Sequence, residues 1–179
     1  MATNKLKHRV GIVTGAGRGI GLSIAKELST QGVSIVAADN GSNISGSQED
    51  QTIIENAVKE LSAPSLTYSK NIASQRAADE IVSMAIDEFG GIDIIINCAA
   101  ILRDGLVFKG STEDWDSVIK NNLSAAFYLT RAATPMMRQQ FKENRGSAEE
   151  YNWGRVLNIG STAGLYGNFG QANYGGAKA

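Results

Sequence analysis

A cluster of glycines between an apolar run and a helical pattern constrains this chain more than any other feature. Residues 10–14 form a short apolar run, which is followed by Gly15, Gly19 and Gly21 and then by apolar residues at helical spacing up to Gly32. This order predicts a strand, a tight turn and a helix. In such a turn the helix N-terminal amides point towards anions, and glycine lets a pyrophosphate approach the backbone. The spacing G-x-x-x-G-x-G differs from the general G-x-G-x-x-G fingerprint, so a purely structural turn stays open.

Beyond this turn the chain alternates short apolar runs with amphipathic helices. Strands without in-and-out alternation, separated by helices at about 30-residue spacing, are typical of a parallel sheet covered on both faces. We therefore predict an α/β fold with a doubly wound parallel sheet, in one domain of 179 residues. The predicted strands are 10–14, 33–38, 66–69, 92–96 and 155–159, and the predicted helices are 20–31, 49–61, 77–89 and a long helix from about 112 to 137.

Several details of this pattern carry predictions of their own. Ser47 and Asp50 stand at capping-box spacing before the second helix. The Gly, Ser and Asn residues in 40–48 predict a surface loop, and the polar residues 138–151 are interpreted as surface decoration, away from the glycine turn. The apolar residues expected on or near one face of the long helix are Trp115, Val118, Ile119, Phe127, Leu129, Met136 and Met137.

Composition excludes several classes of function. With 17 basic and 18 acidic side chains, the chain offers no electrostatic argument for nucleic acid or an acidic membrane surface. No apolar run approaches the roughly 18 residues of a membrane span. The single cysteine excludes an intrachain disulfide, and with His8 as the single histidine no metal site is expected. We expect a cytoplasmic protein without nucleic-acid or membrane partners.

Asp39 stands where a carboxylate would contact the sugar of a bound nucleotide. It follows the second apolar run, 24 residues after Gly15. At the end of that strand it can accept from both ribose hydroxyls and would repel a 2′-phosphate, which favours NAD over NADP. Arg18 opposes this preference, because a cation in the turn can meet a 2′-phosphate, although it can equally pair with a carboxylate or lie in solvent. Asp39 can also simply cap the following turn.

Tyr174 and Lys178 are the pair most indicative of catalysis. Four residues apart on a helix, they would share one face, one turn apart. A phenol, which titrates at about 10, is a poor base at neutral pH, but a nearby ammonium stabilises the phenolate. The pair alone is a weak signal, since this spacing is common on solvated helices. Cys98 is interpreted as a packed thiol and not as a nucleophile.

Five segments, taken in order, resemble the short-chain dehydrogenase/reductase family, whose fold is the Rossmann arrangement. They are Thr14–Gly21, Asn97–Ala100, Asn122 with Leu123, Ser161, and Tyr174 with Lys178. The resemblance implies that Ser161 holds the substrate oxygen and Tyr174 is the general acid and base. It implies that Lys178 supports Tyr174 and binds the nicotinamide ribose, and that Asn122 holds a water in the proton relay. Carbonyl reduction by hydride needs such donors, because an alkoxide develops on the substrate oxygen.

The same resemblance implies a set of cofactor-binding residues. They are Gly15, Arg18, Gly19, Ile20, Gly21, Asp39, Asn71, Ile72, Asn97, Ala99, Tyr174 and Lys178. Two positions depart from the family pattern. Ala100 stands in place of a glycine beside the adenosine part, which bears on cofactor affinity, and Asn71 stands in place of an aspartate but keeps an amide that can bond the adenine edge.

Residues 39–42, 101–105 and 164–174 resemble a narrower group, the (3R)-hydroxyacyl-CoA dehydrogenase domains of multifunctional β-oxidation enzymes. This implies NAD and a 3-hydroxyacyl or 3-oxoacyl thioester. NADPH-dependent 3-oxoacyl-carrier-protein reductases share part of the pattern, and another carbonyl reductase or a sugar or polyol dehydrogenase stays open. A non-catalytic dinucleotide-binding regulatory protein is the alternative from another class. The family also implies a homodimer or homotetramer, with the peroxisomal matrix open besides the cytoplasm.

Members of this family are longer than 179 residues and add further strands and a substrate-covering loop after the lysine. We therefore expect residues 1–179 to be a Rossmann domain that is C-terminally incomplete. By itself such a chain is expected to be poorly stable and inactive.

Overall fold

The described residues form a parallel sheet of five strands with helices on both faces. The computed structural model describes residues 6–145 and 154–179. Its strands are β1 (Val10–Thr14), β2 (Ser34–Ala38), β3 (Ser65–Tyr68), β4 (Ile94–Asn97) and β5 (Arg155–Asn158). Its helices are α1 (Gly19–Thr30), α2 (Gln51–Lys59), α3 (Gln75–Phe89), α4 (Thr112–Ile119), α5 (Ala125–Lys142), α6 (Thr162–Tyr166) and α7 (Ala172–Lys178). The predicted doubly wound α/β fold is confirmed.

The strand order places a crevice beside the glycine turn. The order is β3-β2-β1-β4-β5, so the chain moves outward from β1 through β2 to β3 and then returns to the other side of β1. At this reversal the connections after β1 and β4 leave in opposite directions, which opens a crevice at the carboxyl ends of the strands. Thr14 at the end of β1 pairs with Ala38 at the end of β2, which aligns the two loops that follow.

Both faces of the sheet bury apolar side chains, as the uninterrupted apolar runs predict. All five residues of β1 are buried. On one face, Ile12 packs in a cluster with Ile81 of α3 and Leu129 of α5. On the other face, Val13 lies in a second cluster with Ala25 of α1 and Ile54 of α2. The cleft is therefore held by a rigid, two-sided core.

The second helix begins at a different cap from the one predicted. Asp50 is the N-cap of α2, and its carboxylate accepts from the Thr52 hydroxyl at 2.7 Å and from the Thr52 amide at 3.0 Å. These two bonds lower the pKa of Asp50. Ser47 instead donates through its hydroxyl to the Asn43 side chain at 3.2 Å. The capping-box prediction for Ser47 is wrong, because Ser47 forms its side-chain hydrogen bond within the loop that precedes the helix.

The predicted long helix is interrupted by a π-helical segment, Lys120–Ser124, between α4 and α5. A π turn contains an extra residue and rotates the helix that follows relative to the one before. The predicted apolar face is divided as a result. Val118 and Leu129 are buried, whereas Trp115 and Phe127 are exposed. The prediction of a single apolar face is wrong for these two aromatic residues.

Most described residues of the polar stretch 138–145 are exposed, as predicted, but Gln140 and Arg145 hold α5 to the sheet. Gln140 is fully buried, and its side-chain amide both donates to the carbonyl and accepts from the amide of Ile92, each at 2.7 Å. Arg145 pairs with the buried carboxylate of Asp93 at 3.3 Å. These contacts anchor the end of α5 to the residues that directly precede β4. Residues 146–151 of the predicted decoration lie outside the described residues.

The carboxyl-terminal elements are exposed on one side. β5 lies at the sheet edge and all four of its residues are exposed. α7 nevertheless continues to Lys178, and the Ala179 amide donates to the Gly175 carbonyl at 3.0 Å. Across residues 6–145 and 154–179, no helix is both long and apolar enough to cross a membrane. The same residues contain no group of three or more His, Cys, Asp or Glu side chains placed to hold a metal ion.

Candidate active site

A cleft of about 550 Å³ opens at the carboxyl ends of β1, β2 and β4. The structure brings most of the predicted site residues into its lining: Gly15, Arg18, Ile20, Gly21, Asp39, Asn71, Ile72, Ala99, Ser161, Tyr174 and Lys178. Gly19, Asn97 and Asn122 are not among the lining residues. The cleft therefore joins the glycine turn at one end to the Tyr174 and Lys178 pair at the other.

The glycine turn is packed too closely for side chains at two of its positions. A Cβ on Gly15 would stand 2.9 Å from the backbone of Ala99, and one on Gly21 would overlap the Gly15 carbonyl. Gly19 has a φ of 55°, and the space where its Cβ would point is open. Arg18 is the N-cap of α1 but makes no side-chain cap bond, which leaves the first-turn amides without a side-chain acceptor. The turn has the form of an anion cradle.

Asp39 lies directly after β2 and is held by two backbone amides. One carboxylate oxygen accepts from the Gly17 amide at 2.9 Å, and the other accepts from the Gly41 amide at 2.7 Å. The second bond is the turn-capping interaction that the sequence left open. Because each carboxylate oxygen can accept more than one hydrogen bond, Asp39 still has acceptor capacity towards the cleft.

Arg18 is exposed, and its charge adds to the two Thr52 hydrogen bonds in lowering the pKa of Asp50. Its guanidinium donates to the Gly41 carbonyl at 2.8 Å. The same glycine thus donates to Asp39 and accepts from Arg18. The structure thus shows a backbone contact of Arg18 that was not among the alternatives that the sequence allowed.

Helix α7 places Tyr174 and Lys178 one turn apart on the cleft wall. Tyr174 is half-buried against the cluster of Ile101 and Val118. The Lys178 ammonium donates to the Ile159 carbonyl at 2.7 Å, which fixes it at the end of β5. Burial lowers the pKa of Lys178, and the neighbouring Cys98 acts in the opposite direction. An ammonium held one helical turn from a phenol, on the wall of the same cleft, is suited to stabilise phenolate.

Ser161 approaches the same wall from the start of α6. It is the N-cap of α6, and its hydroxyl oxygen accepts from the Ala163 amide at 3.2 Å. An accepting hydroxyl keeps its own proton free to donate. Ser161 can therefore cap the helix and still donate to a group bound in the cleft.

Asn122 and Asn97 line a neighbouring cavity of about 480 Å³, which shares Ala99 and Lys178 with the cleft. The Asn122 side-chain amide forms two hydrogen bonds with the backbone of Ile101: it accepts from the N–H at 2.8 Å and donates to the carbonyl at 2.9 Å. Asn97 donates to the Asn158 side chain at 2.8 Å. Both side chains connect elements behind the cleft wall.

The family model described as short chain dehydrogenase matches residues 9–179. The chain belongs to the short-chain dehydrogenase family. The resemblance predicted from the sequence is confirmed.

Relatives of this short-chain dehydrogenase include larger proteins. It is 41% identical over 178 residues to peroxisomal multifunctional enzyme A of Dictyostelium discoideum, covering 99% of this chain and 38% of that protein. It is 37% identical over 177 residues to a hydroxyacyl-CoA dehydrogenase of Mycobacterium tuberculosis, covering 99% and 54%. A crystal structure of a short chain dehydrogenase from Mycobacterium avium superposes with a TM-score of 0.80 at 32% identity, covering 97% and 59%. The chain thus spans only part of the length of each of these proteins.

Three residues that matter for the site of this short-chain dehydrogenase lie in segments that carried the resemblance but were given no role from the sequence. The Thr14 hydroxyl accepts from the amides of Cys98 and Ala99 at 3.1 and 3.2 Å, which joins the glycine turn to the β4 loop. Asn173 donates to the Arg103 carbonyl at 2.9 Å, next to Tyr174 in α7. Gly41 is the third. Two sequence signals could have identified some of them. Thr14 is a polar residue at the end of a buried strand, and Gly41 is a glycine two positions after a carboxylate.

Cys98 lies half-buried in the cleft wall. Burial raises the pKa of the Cys98 thiol, Lys178 lowers it and Asp39 raises it. A thiol with a raised pKa is protonated at neutral pH and is a poor nucleophile. These properties agree with the packed thiol that the sequence indicated.

Proposed function

We propose that this short-chain dehydrogenase transfers a hydride between NAD and the 3-position of a 3-hydroxyacyl or 3-oxoacyl thioester. The observation that carries the proposal is the single cleft that contains both the amide-held carboxylate of Asp39 and the Tyr174 and Lys178 pair. Relatives named as a hydroxyacyl-CoA dehydrogenase and a peroxisomal multifunctional enzyme support the thioester as substrate.

The residues of the cleft fit a dinucleotide. Gly15 and Gly21 leave no room for side chains at the turn, and the first-turn amides of α1 suit a pyrophosphate. Asp39 would accept from the adenosine ribose hydroxyls, and its charge disfavours a 2′-phosphate. In this proposal the full cofactor set is the one that the family resemblance implies: Gly15, Arg18, Gly19, Ile20, Gly21, Asp39, Asn71, Ile72, Asn97, Ala99, Tyr174 and Lys178.

The proposed mechanism uses three side chains at the far end of the cleft. Bound NAD supplies the hydride acceptor. Ser161 donates a hydrogen bond to the substrate oxygen and orients it, and Tyr174 as phenolate takes the hydroxyl proton as the carbon–hydrogen bond breaks. The Lys178 ammonium stabilises that phenolate. In the reverse direction Tyr174 returns the proton to the developing alkoxide.

Asn122 contributes to this mechanism by position. Both ends of its amide are bonded to Ile101, whose side chain belongs to the cluster that supports Tyr174. We propose that Asn122 serves the proton relay by holding this wall in place at the cavity behind Lys178.

We further propose that residues 1–179 form the cofactor-binding domain of a larger dehydrogenase. The exposed edge strand β5 and the greater length of the relatives support this. A homodimer or homotetramer, and a cytoplasmic location with the peroxisomal matrix as the alternative, belong to the same proposal. The intact mass of the protein isolated from its own cells tests the domain proposal, because a mass near 19.0 kDa would contradict it.

The substitution Tyr174→Phe tests the enzymatic function. By calorimetry we expect NAD binding to weaken by no more than about tenfold, because the variant loses one hydroxyl of the cofactor set. NAD reduction with 3-hydroxybutyryl-CoA should fall by about 100-fold or more, because the general base is lost. Tyr128→Phe, which removes a hydroxyl outside the cleft, is the matched control. Unchanged turnover in Tyr174→Phe would exclude the proposed mechanism. NAD binding without any turnover in the unaltered protein isolated from its own cells would indicate a regulatory binding protein.

A further inference from the structure

The loop between β2 and α2, residues 39–50, is ordered by its own hydrogen bonds. The Asn43 side chain accepts from the amides of Ser45 and Ser47 at 3.0 and 3.1 Å. The Ile44 carbonyl accepts from the Leu102 amide at 2.8 Å, so the loop is also joined to the segment after β4. The loop therefore holds its conformation along the cleft before any ligand arrives.

Gly41 contacts both residues that bear on cofactor choice through its backbone. The Gly41 amide donates to the Asp39 carboxylate at 2.7 Å, and the Gly41 carbonyl accepts from the Arg18 guanidinium at 2.8 Å. The Gly17 amide holds the other oxygen of Asp39 at 2.9 Å. Asp39 is thus fixed as an acceptor, and Arg18 is directed at the protein backbone.

Only glycine satisfies the geometry at position 41. Its φ is 70°, in the left-handed region that other residues rarely adopt, and a Cβ there would overlap the Asp50 carbonyl. A side chain at this position must displace the loop where it meets the N-cap of α2. Both backbone contacts of Gly41 would then be lost together.

A 2′-phosphate would face two unfavourable conditions at this site. Its charge would stand beside the carboxylate of Asp39, and like charges at close range repel each other strongly in a partly buried site. It would also have to compete with the Gly41 carbonyl for the guanidinium of Arg18. This contact uses one of the five N–H donors of the guanidinium and directs the side chain towards the loop.

We propose that Gly41 is a specificity-determining residue, whose backbone N–H holds Asp39 towards the ribose hydroxyls and whose carbonyl directs Arg18 towards the loop and away from a 2′-phosphate. Arg18 is then a positioning residue for the loop and not a phosphate anchor. This inference rests on the proposed function, because it concerns the choice between NAD and NADP in the same cleft.

The test measures binding of two cofactor fragments, ADP-ribose and 2′-phospho-ADP-ribose, to the full chain by calorimetry. We expect the unaltered chain to prefer ADP-ribose by about 100-fold, as a like-charge contact of this kind predicts. Gly41→Ala is expected to reduce this preference about tenfold or more, since each 1.4 kcal/mol of lost discrimination is tenfold. Gly105→Ala, at a loop glycine with open space and no positive φ, is the matched control and should keep the preference.

Arg18→Met separates this account from the phosphate-anchor alternative and needs no change at Gly41. We expect it to weaken both fragments by similar factors, with their ratio changed by less than about threefold. Selective loss of 2′-phospho-ADP-ribose binding in Arg18→Met would overturn the inference, as would an unchanged preference in a folded Gly41→Ala. If the unaltered chain unfolds cooperatively yet binds neither fragment, the proposed function fails and the inference fails with it.

Discussion

At the scale of single residues, the site depends on side chains whose positions are fixed by backbone contacts. Lys178 is bonded to the Ile159 carbonyl, Asp39 to two amides and Asn122 to both polar groups of Ile101. Fixed donors and acceptors lose little freedom when a ligand binds, and so contribute more to binding and catalysis. The cleft is therefore organised before any ligand is present.

Lys178→Met should impair turnover and alter its pH dependence. Without the ammonium the phenolate of Tyr174 loses its stabilising charge, so we expect turnover at neutral pH to fall about 100-fold and to recover partly as the pH rises. A pH profile of kcat for NAD reduction measures this. Lys59→Met, on the exposed face of α2, is the control; a parallel fall at all pH values would contradict the role given to Lys178.

The sequence could predict these residues only in part. The glycine turn, Asp39, and the Tyr174 and Lys178 pair are visible because they depend on local spacing. Gly41 acts through contacts with the residues at positions 18, 39 and 50, and such contacts between distant positions leave no periodic signal. The same holds for the two bonds of Asn122 across to the β4 loop.

At the scale of elements, the boundaries are set by caps and by tertiary contacts. α3 begins at Ser74, whose hydroxyl accepts from the Ala77 amide, and ends at Gly90 in the left-handed conformation. Both ends of α3 could be predicted from local sequence. The π turn at Lys120–Ser124 could not be predicted in this way, because it depends on the contact of Asn122 with Ile101, which lies outside the helix.

Gln140→Leu should destabilise the attachment of α5 to the sheet. The substitution leaves the amide and the carbonyl of Ile92 buried without their partner, and each such group costs about 1–3 kcal/mol. We expect the free energy of unfolding in urea to fall by about 3 kcal/mol. Gln139→Leu, at the exposed neighbouring position, should change it by less than about 0.5 kcal/mol. Equal urea midpoints for the two variants would show that Gln140 is dispensable.

Glu80 should contribute to acid stability at the outer edge of the sheet. Hydrogen bonds from Lys70, Arg76 and Tyr68 lower the pKa of Glu80 to about 2, and burial together with Glu80 raises the pKa of Tyr68 to about 12. Because the unfolded chain binds a proton to Glu80 at about 4.5, the stabilisation is complete above that pH and is lost as the pH falls towards 2.

The substitution Glu80→Gln tests this acid dependence. We expect the variant to be less stable at neutral pH but to lose less stability than the unaltered protein between pH 4.5 and 2, as followed by urea unfolding at each pH. Glu88→Gln, on an exposed part of the same helix, serves for comparison. Parallel pH curves for Glu80→Gln and the unaltered protein would refute the contribution of Glu80.

At the scale of the whole molecule, the sheet order explains why the cleft lies where it does. The reversal between β1 and β4 opens the crevice, the glycine turn and Asp39 line one end, and α7 brings Tyr174 and Lys178 to the other. The sequence predicted this arrangement because parallel strands all end at the same edge. It did not predict the exposure of β5, since an apolar run does not reveal which strand lies at an edge.

The transfer of deuterium is the most direct test of the central claim, that hydride passes between an acyl thioester and NAD in this cleft. The protein isolated from its own cells would be given NAD and (3R)-3-hydroxybutyryl-CoA deuterated at carbon 3, and the reduced cofactor examined by mass spectrometry. The account predicts NADH that carries the deuterium on its nicotinamide ring, with far less label in NADPH when NADP is supplied instead. Tight binding of NAD with no labelled NADH from this substrate would contradict it.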